Sequence, residues 1–252
     1  MSDFIIENGI LQRYTGDGPE AVIPHGVTKI KAFAFHNCKS ITSVIIPDSV
    51  TEIDKTAFYS CTSLASLAIP DSVITIGNYA FANCASLQSV TIGKSITTIG
   101  GFAFFDCRKI STVYYTGSLE EWSRIKFTSV YANPCCFCGK LYIDGVLLTE
   151  ARFQNDLKAI ESRAFQDCLS LTDVIIPDNI TEIGEYAFQN CSNLANAIIS
   201  QGVNTIKNSA FSDCPKLTTI YYTGTKDQWE SIKIGVNNQP LSKATIYYNY
   251  QE

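Results

Sequence analysis

Histidine occurs only twice in these 252 residues, at His25 and His36. Neither stands in a pattern that general acid–base or metal chemistry requires. No Gly-x-Ser-x-Gly elbow, Walker loop or His-Glu-x-x-His pattern is present, and acids such as Glu52 and Glu182 recur after Val-Thr or Ile-Thr as a solvated row rather than a facing pair. Charge is also scarce, at 17% of residues with a net of −5. No Lys/Arg cluster offers the footprint that displaces counterions from nucleic-acid phosphates. No apolar run approaches the roughly 20 residues that cross a bilayer. The opening Met1-Ser2-Asp3-Phe4-Ile5-Ile6-Glu7 has an acid where an export signal carries base, and no lipid or cell-wall anchor pattern follows. These absences predict a chain without catalytic residues, cofactor or metal ligands, with neither a nucleic-acid partner nor a membrane-inserted segment.

What is abundant is repetition. The hydrophobic share of 46% marks an ordered chain, and its residues recur with a period of 23: an Ala-Phe pair places Phe at 35, 58, 81, 104, 165, 188 and 211. A cysteine follows each Phe by three positions, giving Cys38, Cys61, Cys84, Cys107, Cys168, Cys191 and Cys214. Apolar residues then fall as in Cys61-x-x-Leu64-x-x-Leu67-x-Ile69-Pro70, the strand pattern of a leucine-rich repeat. A coil this short cannot bury its apolar side alone, so Leu64, Leu67, Ile69, Val73, Ile76 and Phe81 require equivalents stacked above and below. Seven cysteines at one coil position point the same way and do not converge for bridging. They are expected as buried structural thiols.

A longer period overlies the short one. Tyr-Tyr-Thr-Gly at 114–117 and 221–224 is followed by Trp122 and Trp229, each pair 107 residues apart. Ser118-x-x-Glu121 and Thr225-x-x-Gln228 read as capping boxes that open short helices carrying the tryptophans. Asn8-Gly9 and Asp144-Gly145 between apolar stretches read as hairpin turns. The expected organisation is one continuous solenoid over 1–252, with tandem halves of about 1–138 and 139–252 and no Pro/Gly/Ser-rich linker between them.

The run Ile46-Pro47-Asp48-Ser49-Val50-Thr51-Glu52-Ile53, continued through Ala57-Phe58, Cys61 and Leu64, resembles the Treponema-pallidum-type, or BspA-like, leucine-rich repeats over nearly the whole chain. The resemblance implies a right-handed, curved coil stack, with a parallel sheet on the concave face and short strands, turns or 3-10 and helical segments on the others. It also implies a surface or secreted protein, of a kind in which some members act as adhesins for host or matrix proteins.

In such a coil the residues between the apolar strand positions face outward. One outward row runs Ile45, Ala68, Thr91, Tyr114, Ile175, Ile198 and Tyr221. A polar row beside it includes Asp173 and Asn196. An apolar strip rimmed by small polar groups is the expected ligand face, suited to a protein and secondarily to a glycan. Two other readings stand beside it: a spacer that displays another domain, and a thiol or zinc module at Cys135 and Cys138, whose C-x-x-C spacing fits metal or redox chemistry. Against the module, the internal copy after Pro240 reads Leu241-Ser242-Lys243 and carries no thiol.

Overall fold

The computed structural model describes residues 3–154 and 156–251, with Cys138 described by its backbone alone. The chain is a β-solenoid of stacked coils. It divides into two compact units, the first Met1–Gly117, Ile125–Cys138 and Tyr142–Gly145, the second Ser118–Arg124, Gly139–Leu141 and Val146–Glu252.

In the first unit, successive coils contribute the short strands Glu20–Val22, Ser43–Ile45, Ser66–Ala68, Ser89–Ile92 and Thr112–Tyr115. The first two pair in parallel, as do the last three, residue on equivalent residue. A second parallel sheet collects Lys29–Ile30, Glu52–Ile53, Thr75–Ile76, Thr98–Ile99 and Lys126–Phe127. An antiparallel hairpin, Phe4–Glu7 with Ile10–Tyr14, leads it. The hairpin turns at Asn8 and Gly9, at φ 51° and 75°, a region where Gly and Asn carry little steric cost. In the second unit Glu150–Arg152, Asp173–Ile176, Asn196–Ile199, Thr219–Tyr222 and Thr245–Tyr247 form one five-stranded parallel sheet. Ala159–Ile160, Glu182–Ile183, Thr205–Ile206 and Lys233–Ile234 form another.

Each Ala-Phe pair supplies a ring to a column in its unit. Phe35, Phe58, Phe81 and Phe104 are fully buried and stack in sequence with centroids 4.6, 5.2 and 5.5 Å apart. Phe165, Phe188 and Phe211 repeat this at 5.3 and 5.1 Å, the near-parallel arrangement that aromatic pairs adopt when offset. The thiols form the ladder that their spacing predicts. The Sγ atoms of Cys61, Cys107, Cys191 and Cys214 donate at 3.1 Å to the carbonyls of Phe35, Phe81, Phe165 and Phe188. Each of these carbonyls also accepts the backbone N–H three residues on, from Cys38, Cys84, Cys168 and Cys191 in turn, so the thiol is a second donor that ties the carbonyl to the following coil.

The turn that carries Ala-Phe holds two left-handed residues. Asn37, Ser60, Asn83, Asp106, Asp167, Asn190 and Asp213, immediately before each Cys, lie at φ 57–63°, and the residues two before each Phe, among them Thr56, Tyr79 and Phe102, lie at 55–66°. Alternating hand aims alternate N–H groups at the next coil: Tyr79, Phe81 and Asn83 donate to the carbonyls of Gly101, Ala103 and Phe105 at 3.0, 2.8 and 2.7 Å. Asn, Asp and Ser tolerate this conformation better than most residues do. Close approach of coils fixes one glycine elsewhere, since a Cβ on Gly202 would overlap the backbone carbonyl of Asp178.

Both tryptophan helices, Leu119–Ser123 and Lys226–Ser231, open with complete capping boxes at Ser118/Glu121 and Thr225/Gln228. Both belong to the second unit. Trp122 is buried, with its Nε1 donating to the Ala164 carbonyl at 2.7 Å. Trp229 packs edge-on to Tyr222 at 5.1 Å.

Candidate strand-face binding site

Strand pleating places successive side chains on opposite faces. The segment Thr112–Tyr115 alternates accordingly, with Val113 and Tyr115 buried while Tyr114 is exposed. Parallel in-register pairing then aligns equivalent positions into rows. In the first unit Val22 pairs with Ile45, and Ala68, Thr91 and Tyr114 follow one another in register. Val22, Ile45, Ala68 and Tyr114 are exposed and Thr91 is half-buried. The ring of Tyr142 lies 5.0 Å from that of Tyr114 and extends the row.

In the second unit the row is Arg152, Ile175, Ile198, Tyr221 and Tyr247. Tyr221 stacks on Tyr247 at 5.4 Å and meets Tyr250 at 4.7 Å, making a three-ring cluster. Ile198 and Tyr221 are half-buried. Ile175 departs from the expectation of an exposed contact. It occupies the predicted register, yet it is only 8% accessible, because its register partners on either side are the long side chains of Arg152 and Ile198. Neighbours at in-register strand spacing are within van der Waals reach and shield a side chain between them.

The polar row of the second unit is already internally bonded. Thr172 Oγ1 donates to Asp173 Oδ2 at 2.7 Å, and Asn196 Nδ2 donates to Asp173 Oδ1 at 2.8 Å. Arg152 pairs with Glu150 at 3.2 Å. These internal bonds hold the polar groups of the row in fixed directions.

Val22, Arg152, Tyr142, Tyr247 and Tyr250 escaped the sequence reading. Val22 precedes the first Ala-Phe, so it lies outside the repeated signature, although it stands 23 residues before Ile45. The others enter through segments that restart or end an array, where the period breaks.

The remaining chemical candidates separate in space. His25 and His36 are both exposed, and His36 stacks on Tyr59 at 5.5 Å. Burial pushes the thiols of Cys61 and Cys214 up to about 12 and raises Cys191 as well, so at neutral pH these groups are protonated and poorly nucleophilic. Cys135 is buried and Cys136 half-buried, while the side chain of Cys138 lies outside the described residues. Among the described residues no group of three or more His, Cys, Asp or Glu side chains is arranged to hold a metal ion. Nor is any of their helices long and apolar enough to cross a membrane.

The BspA type leucine rich repeat region model matches the chain in six copies over residues 13–132 and 142–233. No curated protein sequence matches it. Among solved structures, a leucine-rich repeat protein of Treponema pallidum is similar at 23% identity and a TM-score of 0.39, covering 90% of this chain and 77% of that one. A leucine-rich cell surface protein of Faecalibacterium prausnitzii is similar at 23% identity and 0.35, covering 91% and 95%. A leucine-rich repeat protein of Bacteroides ovatus is similar at 22% and 0.42, covering 98% and 79%.

Proposed function

From the premise that the chain belongs to the BspA-type leucine-rich-repeat family, we propose that it is a non-enzymatic recognition module that holds a protein ligand on its outward strand rows. The observation that carries this reading is the register itself. Backbone pairing lines up Val22 with Ile45 and Ala68 with Thr91 and Tyr114, and in the second unit Ile198 with Tyr221 and Tyr247. The rows are apolar to aromatic, and small polar side chains such as Ser66, Ser89 and Thr112 flank the first of them. Contiguous apolar surface with a polar rim marks interaction sites. Tyrosine is a favoured anchor because it buries a large rigid area and keeps a hydroxyl for bonding. Asp173 and Asn196, held by their mutual hydrogen bond, give the second unit a directional polar contact. Display at a cell surface or secretion, and adhesion to host or matrix proteins, extend this reading along the family resemblance.

The test is a binding screen of the purified chain against extracellular-matrix proteins, cell surfaces and glycan arrays, beside a Tyr114→Ala/Tyr221→Ala variant. Both side chains stand on the outward row, so the variant is expected to fold. Binding to a protein by the parent, weakened in the variant by about tenfold or more, supports the proposal. Binding to glycans alone reassigns the ligand class. Binding by neither protein, or equal binding by both, leaves the spacer reading in its place.

A further inference from the structure

Along the Ala-Phe turns of the first unit and the segment that follows them, five aromatic rings form a continuous chain. Tyr79 and Phe102 stack at 5.1 Å and 6°, Phe102 meets Phe105 edge-on at 6.1 Å, Phe105 meets Tyr131 edge-on at 5.5 Å, and Tyr131 stacks on Phe137 at 5.7 Å and 14°. Tyr79 and Phe105 are 39% and 40% exposed. A cavity of about 350 Å³ opens among Phe105, Asp106, Arg108, Tyr131, Cys136 and Phe137.

The turn does not require these rings. Tyr79 and Phe102 both have φ 57°, where a bulky side chain is strained and calls for a reason. Phe33, Arg163 and Tyr186 stand at the equivalent position at 64°, 66° and 59°, but Thr56 and Ser209 hold it at 55° and 57° without a ring. The position of Phe105 is filled by Gln166, Gln189 and Ser212 in the second unit. What sets this region apart is that its rings run on from one to the next as a five-membered chain, although polar residues satisfy the same backbone in other coils.

The geometry also narrows the partner. The faces of Tyr79 and Phe102, and of Tyr131 and Phe137, are turned on each other, so they are poorly placed to receive the face of a sugar. What the strip offers a ligand is the recess lined by Phe105, Tyr131 and Phe137, with the guanidinium of Arg108 at its side. That side chain is 82% exposed and its Nε bonds Asp106 at 2.5 Å, one of its five donors. A polyproline II segment is the complement of such a strip. Its backbone has no internal hydrogen bonds, so its carbonyls are open to external donors, and it docks into aromatic-lined grooves. One turn of it advances about 9.3 Å, close to the spacing of two coils at about 4.8 Å each. Arg108 and the exposed Lys109 set two cations against the one carboxylate of Asp106, which favours an acidic residue next to the prolines.

We propose that this aromatic strip is a second binding surface, separate from the strand rows, that docks a proline-rich protein segment in the polyproline II conformation. The probe is a fluorescein-labelled peptide of ten prolines ending in two aspartates, followed by fluorescence anisotropy on the full chain. A Gly-Ser peptide with the same ends and cellohexaose serve as comparators. Phe105→Gln installs a residue that the second unit carries at the same place, so its circular-dichroism melt should match the parent. The expected result is saturable binding of the proline peptide, weakened about tenfold or more by Phe105→Gln, reduced by Arg108→Gln and unchanged by Tyr114→Ala. No saturable binding, equal affinity in Phe105→Gln, or displacement of the peptide by cellohexaose would each overturn the proposal. Loss of binding in Tyr114→Ala would place the peptide on the strand rows instead.

Discussion

Phe81 illustrates how one side chain serves three coils, lying between Phe58 at 5.2 Å and Phe104 at 5.5 Å. Its truncation removes both stacking contacts and leaves a void, so Phe81→Ala should lower stability by about 3–5 kcal/mol, measured as a shift of the urea midpoint. The thiols make a separate pH prediction. Burial raises Cys61 and Cys214 to about 12 from an ordinary value of 9.0. A raised acid binds its proton more tightly in the folded state, so its contribution is complete below about pH 9 and is lost as pH climbs toward 12. Thermal melts between pH 8 and pH 11 should therefore fall in midpoint, and Cys61→Ala/Cys214→Ala should fall less steeply. At this scale the sequence was readable wherever a residue repeats: the Phe column and the thiol ladder follow from spacing alone. Ile175 was not, because its accessibility depends on Arg152, a residue of the restarting segment that no repeat pattern assigns.

Elements differ in how much local chemistry reveals them. The helices at Leu119–Ser123 and Lys226–Ser231 were predictable because Ser118/Glu121 and Thr225/Gln228 carry their signal in four residues. Ser118→Ala removes the acceptor for the Glu121 N–H and should cost about 1 kcal/mol, detectable as faster hydrogen exchange in that helix. The Ala-Phe turn was opaque for the opposite reason: its left-handed positions are occupied by Asn, Asp, Ser, Thr, Arg and aromatics rather than Gly. Asn83, at φ 61°, separates the two requirements. Asn83→Gly should be nearly neutral or mildly stabilising, whereas Asn83→Val should destabilise by about 1–2 kcal/mol or more, because β-branching is strongly disfavoured in this region. Chemical denaturation of the pair checks the direction, and similar losses in both would argue against backbone hand as the cause. Tyr142, Tyr247 and Tyr250 lay beyond reach of pattern reasoning because the elements bearing them lie outside the 23-residue signature.

For the molecule as a whole, nearest-neighbour coupling between coils means that a lesion need not spread evenly. Trp122 and Trp229, the only tryptophans, both belong to the second unit, so their emission follows that unit while far-ultraviolet dichroism follows both. In Phe81→Ala the dichroism curve should gain an early step and the tryptophan transition should keep its midpoint. A joint shift of both probes would mean that the coils unfold as one cooperative body. Coil stacking and parallel pairing were legible from the period of 23, whereas which outward residues gather into rows with others depended on where that period lapses. The same strand alternation that buries Val113 and exposes Tyr114 also divides what inheritance can change. Substitutions on the outward row leave the column of rings and thiols untouched. An in-frame gain or loss of one coil's codons would add or remove a core layer and an outward residue together. Descendants of such a gene can therefore explore new surfaces by point mutation and new lengths by recombination, with neither route having to reinvent the fold.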